Sequence, residues 1–162
     1  IEIYSDSANP STHNSMEAYA SRGSIVTPTV VNPDDIIFSY SNYGYDGAQY
    51  RLSSVISASV DPDATVSSGV VPGQLIIATT PDNGSTLKFV VLDKDGNFGI
   101  NVTNPTKKLE VNGNGEFASE VLLGRMDQTA INGLTAANGM IVYNTTTNKF
   151  QGYENGAWSN LI

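Results

Sequence analysis

NFGINVTNPTKKLEVNGNGEFASEVLLG, residues 97–124, is the stretch on which the reading of the fold turns. From Leu109 onward, apolar Leu109, Val111, Phe117, Val121 and Leu123 hold odd positions, while Lys108, Glu110, Asn112, Asn114, Glu116 and Glu120 hold even ones. Ala118 and Leu122 break the alternation. A period of two sends successive side chains to opposite sides of an extended backbone, so the pattern predicts a strand with one buried side and not a helix. The Asn-Gly pairs at 112–113 and 114–115 then mark bends or close backbone approaches. A one-sided strand of this length needs a partner surface. No neighbouring segment supplies an obvious one, which points to other copies of the chain.

Composition narrows the functional classes. The 162 residues carry 8 Lys+Arg against 16 Asp+Glu, a net charge of −8, which disfavours phosphate-mediated nucleic-acid binding and charge-driven docking to an anionic membrane. Only 15% of residues are charged, below the roughly 25% of an average globular domain, and Asn, Ser, Thr and Gly fill the difference. Such a polar, weakly charged surface suits a protein exposed outside a cell. With no cysteine there is neither a disulfide framework nor a thiolate metal site. Apolar runs such as Phe89 to Leu92 are too short to span a bilayer, so membrane insertion is not expected. Opening on IEIYSDSANP, without a signal-peptide pattern, the chain reads as a fragment of something longer.

Taken in order, residues 1–15 read as an extended arm or linker, and Met16 to Ser21 as a candidate first strand. Asp35 to Ser41 alternates through Ile36, Phe38 and Tyr40, and NYGYDG at 42–47 reads as a turn. Tyr50, Leu52, Ile56, Ala58 and Val60 occupy even positions of the cleanest strand. Gln74 to Thr79 and Leu87 to Leu92 follow as hairpin arms around Asp82-Asn83-Gly84, with another tight turn at Asp93 to Gly96. A short helix fits within Asp127 to Asn138. Met140 to Tyr143, Lys149 to Tyr153 and Ala157 to Leu161 then read as a meander turning at TTTN and Asn155-Gly156.

The expectation is therefore an all-β chain of short-stranded modules: an arm (1–15), a β module (16–96), a glycine-rich connecting segment (97–125) and a terminal β meander (126–162). Each core would be small, and units below about 60 residues are marginal without disulfides, metals or oligomerisation. Oligomerisation is the route left open.

GNFGINVTNPTKKLEVNG, residues 96–113, resembles the motif G-N-V-G-I-G-T-x-x-P-x-x-x-L-x-V-x-G found repeatedly in tail-fibre and related receptor-binding fibre proteins of bacteriophages and other double-stranded DNA viruses. Gly96, Asn97, Gly99, Ile100, Pro105, Leu109, Val111 and Gly113 match, whereas Asn101 stands where the family usually has glycine. Upstream, RGSIVTPTVVNPDDIIFSYSNYGYDGAQYRLSSVISASVD and VPGQLIIATTPDNGSTLKFVVLDKDGN are similar to a module that commonly precedes the motif. Downstream, GMIVYNTTTNKFQGYENGAWSNL is similar to a repeat that often closes such fibres. The resemblance implies an intertwined parallel homotrimer in the C-terminal region of a viral tail fibre, located on the virion outside the cell. It also implies a role in attachment to a glycan or protein on the host surface.

Chemistry-bearing residues give little support to an enzyme. The single histidine, His13, sits in the polar arm, where a base is poorly placed to activate a nucleophile. DKDGN at 93–97 opens like a calcium loop, but Asn104 stands where a twelfth-position glutamate belongs, and a plain turn is the better reading. No catalytic residue, metal or cofactor is expected. Tyr40, Tyr43, Tyr45 and Tyr50 crowd around a glycine-rich turn, while Tyr153 and Trp158 flank the last one. Tyr40 and Tyr50 fit strand faces and Trp158 fits the terminal core. Tyr43 and Tyr45, at the turn, are the candidate receptor contacts, because turns carry recognition more often than strand faces. Two alternatives stand beside receptor binding: a trimerisation or shaft-capping module with no receptor site, and a monomeric secreted β-sandwich that binds or hydrolyses glycans.

Overall fold

The computed structural model describes residues 17–24, 26–84 and 86–161. The arm at 1–15, with His13, and Met16 lie outside the described residues. The chain divides into two compact units, residues 1–115 and 116–162.

In the first unit, β1 (Arg22–Ser24) and β2 (Thr27–Thr29) make a small hairpin. Regular structure thus begins at Arg22, and the expected strand up to Ser21 is absent over its described residues. A six-stranded sheet follows in chain order: β3 (Ile36–Tyr45), β4 (Tyr50–Val60), β5 (Gly73–Thr79), β6 (Lys88–Leu92), β7 (Phe98–Ile100) and β8 (Leu109–Val111). Neighbours are antiparallel except β7 and β8, which run parallel and are joined by a crossover over residues 101–108.

Register separates the two sides of this sheet, because directly paired residues share a face. On one face Phe38, Ala58, Leu75, Leu92, Phe98 and Leu109 stand side by side across all six strands. Tyr40, Ile56, Ile77, Val90, Ile100 and Val111 form the adjacent row. A polar row of Asn42, Ser54, Thr79 and Lys88 borders them. This face is open: Ile56, Leu75, Ile77 and Leu92 are 43%, 42%, 45% and 44% exposed.

The opposite face is covered by the chain itself. Val91 and Ala78 are buried there, and a Cβ on Gly99 would lie 2.5 Å from the Val102 carbonyl oxygen and 3.4 Å from Pro105 Cγ. The crossover therefore rests directly on β7, and only glycine leaves it room. A cleft of about 410 Å3 remains on this side, lined by Val55, Ile76, Phe89 and Val91 from the sheet and by Thr103 and Asn104 from the crossover.

The long one-sided strand expected from Leu109 onward is confined to Leu109–Val111. Residues 112–124 are irregular and Phe117 and Leu122 are 68% and 84% exposed. Gly113, at φ 151°, takes the backbone out of the strand conformation at the first Asn-Gly pair, and a lone extended segment has no ladder to hold it.

The second unit is a four-stranded sheet in the order β12 (Ala157–Asn160), β11 (Lys149–Glu154), β10 (Ile141–Asn144) and β9 (Arg125–Met126), with helix α1 (Gln128–Asn132) between β9 and β10 in the chain. Asp127 caps the helix, its Oδ1 accepting from the Ala130 N–H at 2.8 Å. Asn155 and Gly156, at φ 51° and 81°, form the left-handed turn of the last hairpin, across which Tyr153 and Trp158 pack edge to face at 5.2 Å. Trp158 is half-buried, while Ile131 and Val142 make the buried apolar centre.

One charged contact fastens the β1–β2 hairpin. Arg22 Nε and Nη2 donate to Asp35 Oδ2 and Oδ1 at 2.7 and 2.8 Å, and the Asn32 N–H donates to Oδ2 at 2.8 Å. The arginine first, then the backbone donor, hold the Asp35 carboxyl at about 2 instead of the ordinary 3.8. A carboxyl depressed in the folded state stabilises above its unfolded value, and that contribution disappears as pH falls through the folded one. Hydrogen exchange, corrected for the intrinsic pH dependence, should show steady protection of the β1 and β2 amides down to about pH 4 and loss toward pH 2. Arg22→Gln should remove that step; an identical pH profile in the variant would contradict the anchor.

Candidate functional site

The residues of the fibre-type motif are brought together where β6, β7 and the crossover meet. Asp93 Oδ1 accepts from the backbone N–H groups of Asp95 and Asn97 at 2.9 and 2.8 Å, and its Oδ2 accepts from Asn97 Nδ2 at 3.0 Å. Burial pushes this carboxyl up, but the hydrogen bonds from Asn97 and Asp95 outweigh it and leave the group below its ordinary value. DKDGN is thus a closed turn whose first carboxylate is engaged by its own backbone. Asn97 Nδ2 also donates to the Pro105 carbonyl at 3.1 Å, tying the turn to the crossover. Lys108 Nζ, donating to the Asp95 carbonyl at 2.6 Å, makes a second tie, and Thr106 closes the loop by donating its N–H to Glu110 Oε2 at 2.8 Å.

Asn101 explains its own departure from the glycine usual at that place. Its φ of 53° lies in the left-handed region, where asparagine is among the few side-chain-bearing residues tolerated. Its N–H donates to the Phe89 carbonyl at 2.9 Å, and its Oδ1 accepts from the Phe89 N–H at 3.2 Å. The side chain therefore extends the β6–β7 ladder by one rung, which glycine could not do.

In the second unit a chain of amides runs through the sheet. Asn144 Nδ2 donates to Gln128 Oε1 at 2.8 Å and to Gln151 Oε1 at 3.0 Å, and Gln151 Nε2 donates to Asn160 Oδ1 at 3.0 Å. Asn144 Oδ1 accepts from the N–H groups of Thr146 and Thr147, so this wholly buried amide is satisfied at both ends. The network links α1, β10, β11 and β12. The sequence offered no periodicity that would reveal it.

The structure places the two tyrosines on the last residues of β3, beside the turn rather than in it. The hairpin tip is Asp46–Gln49, where Asp46 Oδ1 accepts from the N–H groups of Ala48 and Gln49, both at 2.8 Å. The bonds from Gln49 and Ala48, aided by Arg51 Nε at 3.0 Å from Oδ2, lower the Asp46 carboxyl. Tyr43 and Tyr45 are 60% and 62% exposed, and Tyr45 meets Tyr50 edge to face at 5.5 Å. Among the described residues no cluster of three or more His, Cys, Asp or Glu side chains could hold a metal ion. No described helix is long and apolar enough to cross a membrane.

Sequence reasoning passed over the open face of the sheet. Its signal was present in Leu75-Ile76-Ile77-Ala78 and Phe89-Val90-Val91-Leu92, continuous apolar runs of the kind found in strands buried on both sides.

The comparisons with known proteins bear on the motif region. Residues 99–162 match the family model of the phage tail like trimerisation region. The match begins inside the quoted motif and runs through the meander. This C-terminal part of the chain is similar to a phage tail-like trimerisation region, a structural module that implies a trimer. No curated protein matches the chain.

The double role of Asn101 can be measured by denaturant unfolding. Asn101→Ala, which loses the rung and keeps the left-handed strain, should cost about 2 kcal/mol, whereas Asn101→Gly, which loses the rung alone, should cost about 1 kcal/mol or less. Equal losses in both variants would contradict the assignment.

Proposed function

We propose that the chain is a segment of a phage tail fibre, a parallel, intertwined homotrimer on the virion that contributes to attachment of the particle to its host. The observation that carries this reading is the match of residues 99–162 to a phage tail-like trimerisation region. The attachment role draws support from the Tyr43–Tyr45 end of β3. Two exposed rings with polar tips stand beside a turn that its own hydrogen bonds hold, an arrangement suited to stacking on a sugar or packing on a protein. Three copies would present the same tip three times, so that weak non-covalent contacts add by avidity. No step of bond making or breaking is involved.

A narrower reading rests on the same match: a trimerisation or shaft-capping unit whose receptor site lies in another part of the fibre. The two separate in one experiment. Particles carrying Tyr43→Ala together with Tyr45→Ala should adsorb to host cells at least about tenfold more slowly, since a small loss at each of three sites multiplies. The melting temperature should stay unchanged. Unchanged adsorption would remove the tyrosine site and favour the narrower reading.

A further inference from the structure

We propose that the open face of the six-stranded sheet is buried against the other two copies of this chain, so that the trimer core extends from the matched region back to β3. This rests on the trimer reading and adds a surface to it, one made largely from residues 36–92, outside the family match.

Three observations converge on this surface and its occupant. First, the crossover covers one side of the sheet, over Gly99 and Val91, and among the described residues the two apolar rows of the other side stay exposed at Ile56, Leu75, Ile77 and Leu92. Second, β5 and β6 are apolar at consecutive positions, as in strands whose two faces are both covered, yet Leu75, Ile77 and Leu92 are more than two-fifths exposed in the single chain. Third, the apolar rows are continuous with the trimerisation region. Ile100, Leu109 and Val111 belong to that region and stand in register with Val90, Leu92 and Ile77 along the same rows. A surface that starts inside a self-association region and continues unbroken for four more strands has a second copy of the chain as its natural cover.

Size supports the same occupant. Six strands about 4.8 Å apart and two rows about 7 Å apart along them give a patch of roughly 350 Å2 in projection. A patch of that size is at the scale that marks interaction surfaces on a monomer. It falls below the roughly 800 Å2 per partner of a standard interface, so it would not hold a separate partner by itself. Added to a trimerisation region, it needs only to extend an association that already exists. The polar row of Asn42, Ser54, Thr79 and Lys88 would form its rim.

The absence of cysteine makes a clean test available. Ile77→Cys places one thiol on the open face, Leu92→Cys does so on the next strand should the first variant not fold, and Thr65→Cys is the exposed control. The probe is maleimide, applied to the trimer fraction from a sizing column. The thiol at 77 or 92 should react at least about tenfold more slowly than the one at 65, since it becomes accessible only by local opening. Reaction as fast as the control in a verified trimer would overturn the proposal and leave the trimer itself standing. A wild-type chain that gives no trimer fraction would overturn the underlying reading, and this proposal with it.

Discussion

One constraint governs this chain: its central sheet is apolar on both faces, and the described residues of the first unit cover only one. Among the described residues six hydrophobic side chains are buried, Val31, Val60, Ala78 and Val91 in the first unit and Ile131 and Val142 in the second, while twenty-four large ones are exposed. Burial this sparse leaves each unit little apolar stabilisation of its own. Covering the exposed two-fifths of Ile56, Leu75, Ile77 and Leu92 is worth roughly 1 kcal/mol per residue. Over three chains that sums to the order of 10 kcal/mol, comparable to the whole stability of an ordinary domain. Association and folding would then be hard to separate.

The fibre-type motif is understandable in these terms. Its residues act on the chain itself. They hold a crossover down on the inner face: Asn97 bonds the Asp93 turn to Pro105, Gly99 lets Val102 approach, and Asn101 closes the ladder with its side chain. Each of these depends on backbone placement, which is why the motif consists of glycine, asparagine and proline at fixed spacing. With the inner face covered locally, the outer face is left for something else.

Much of this was legible in the sequence. The alternation over Tyr50–Val60 gave β4 residue for residue, and Asp127 with the following residues gave the short helix. The Asn155-Gly156 pair marked the last turn. The alternation over 109–123 misled, because a two-residue period records which residues would share a face if the segment were extended and says nothing about whether a neighbour exists to hydrogen-bond it. The tyrosine turn was set a few residues early, since Gly44 reads as a breaker although β3 runs through it to Tyr45 and the Asp46 carboxylate makes the real turn. The Asn144–Gln151 network and the pairing of β9 beside β10 are tertiary facts, with no local pattern to carry them.

The most direct measurement is the native mass of the chain, by light scattering on a sizing column at low micromolar concentration. A trimer gives three times the 17.2 kDa of one chain, persisting on dilution, and that is the expected result. A monomer of that mass, folded and stable, would contradict it, since the exposed rows of the sheet would then need no cover at all.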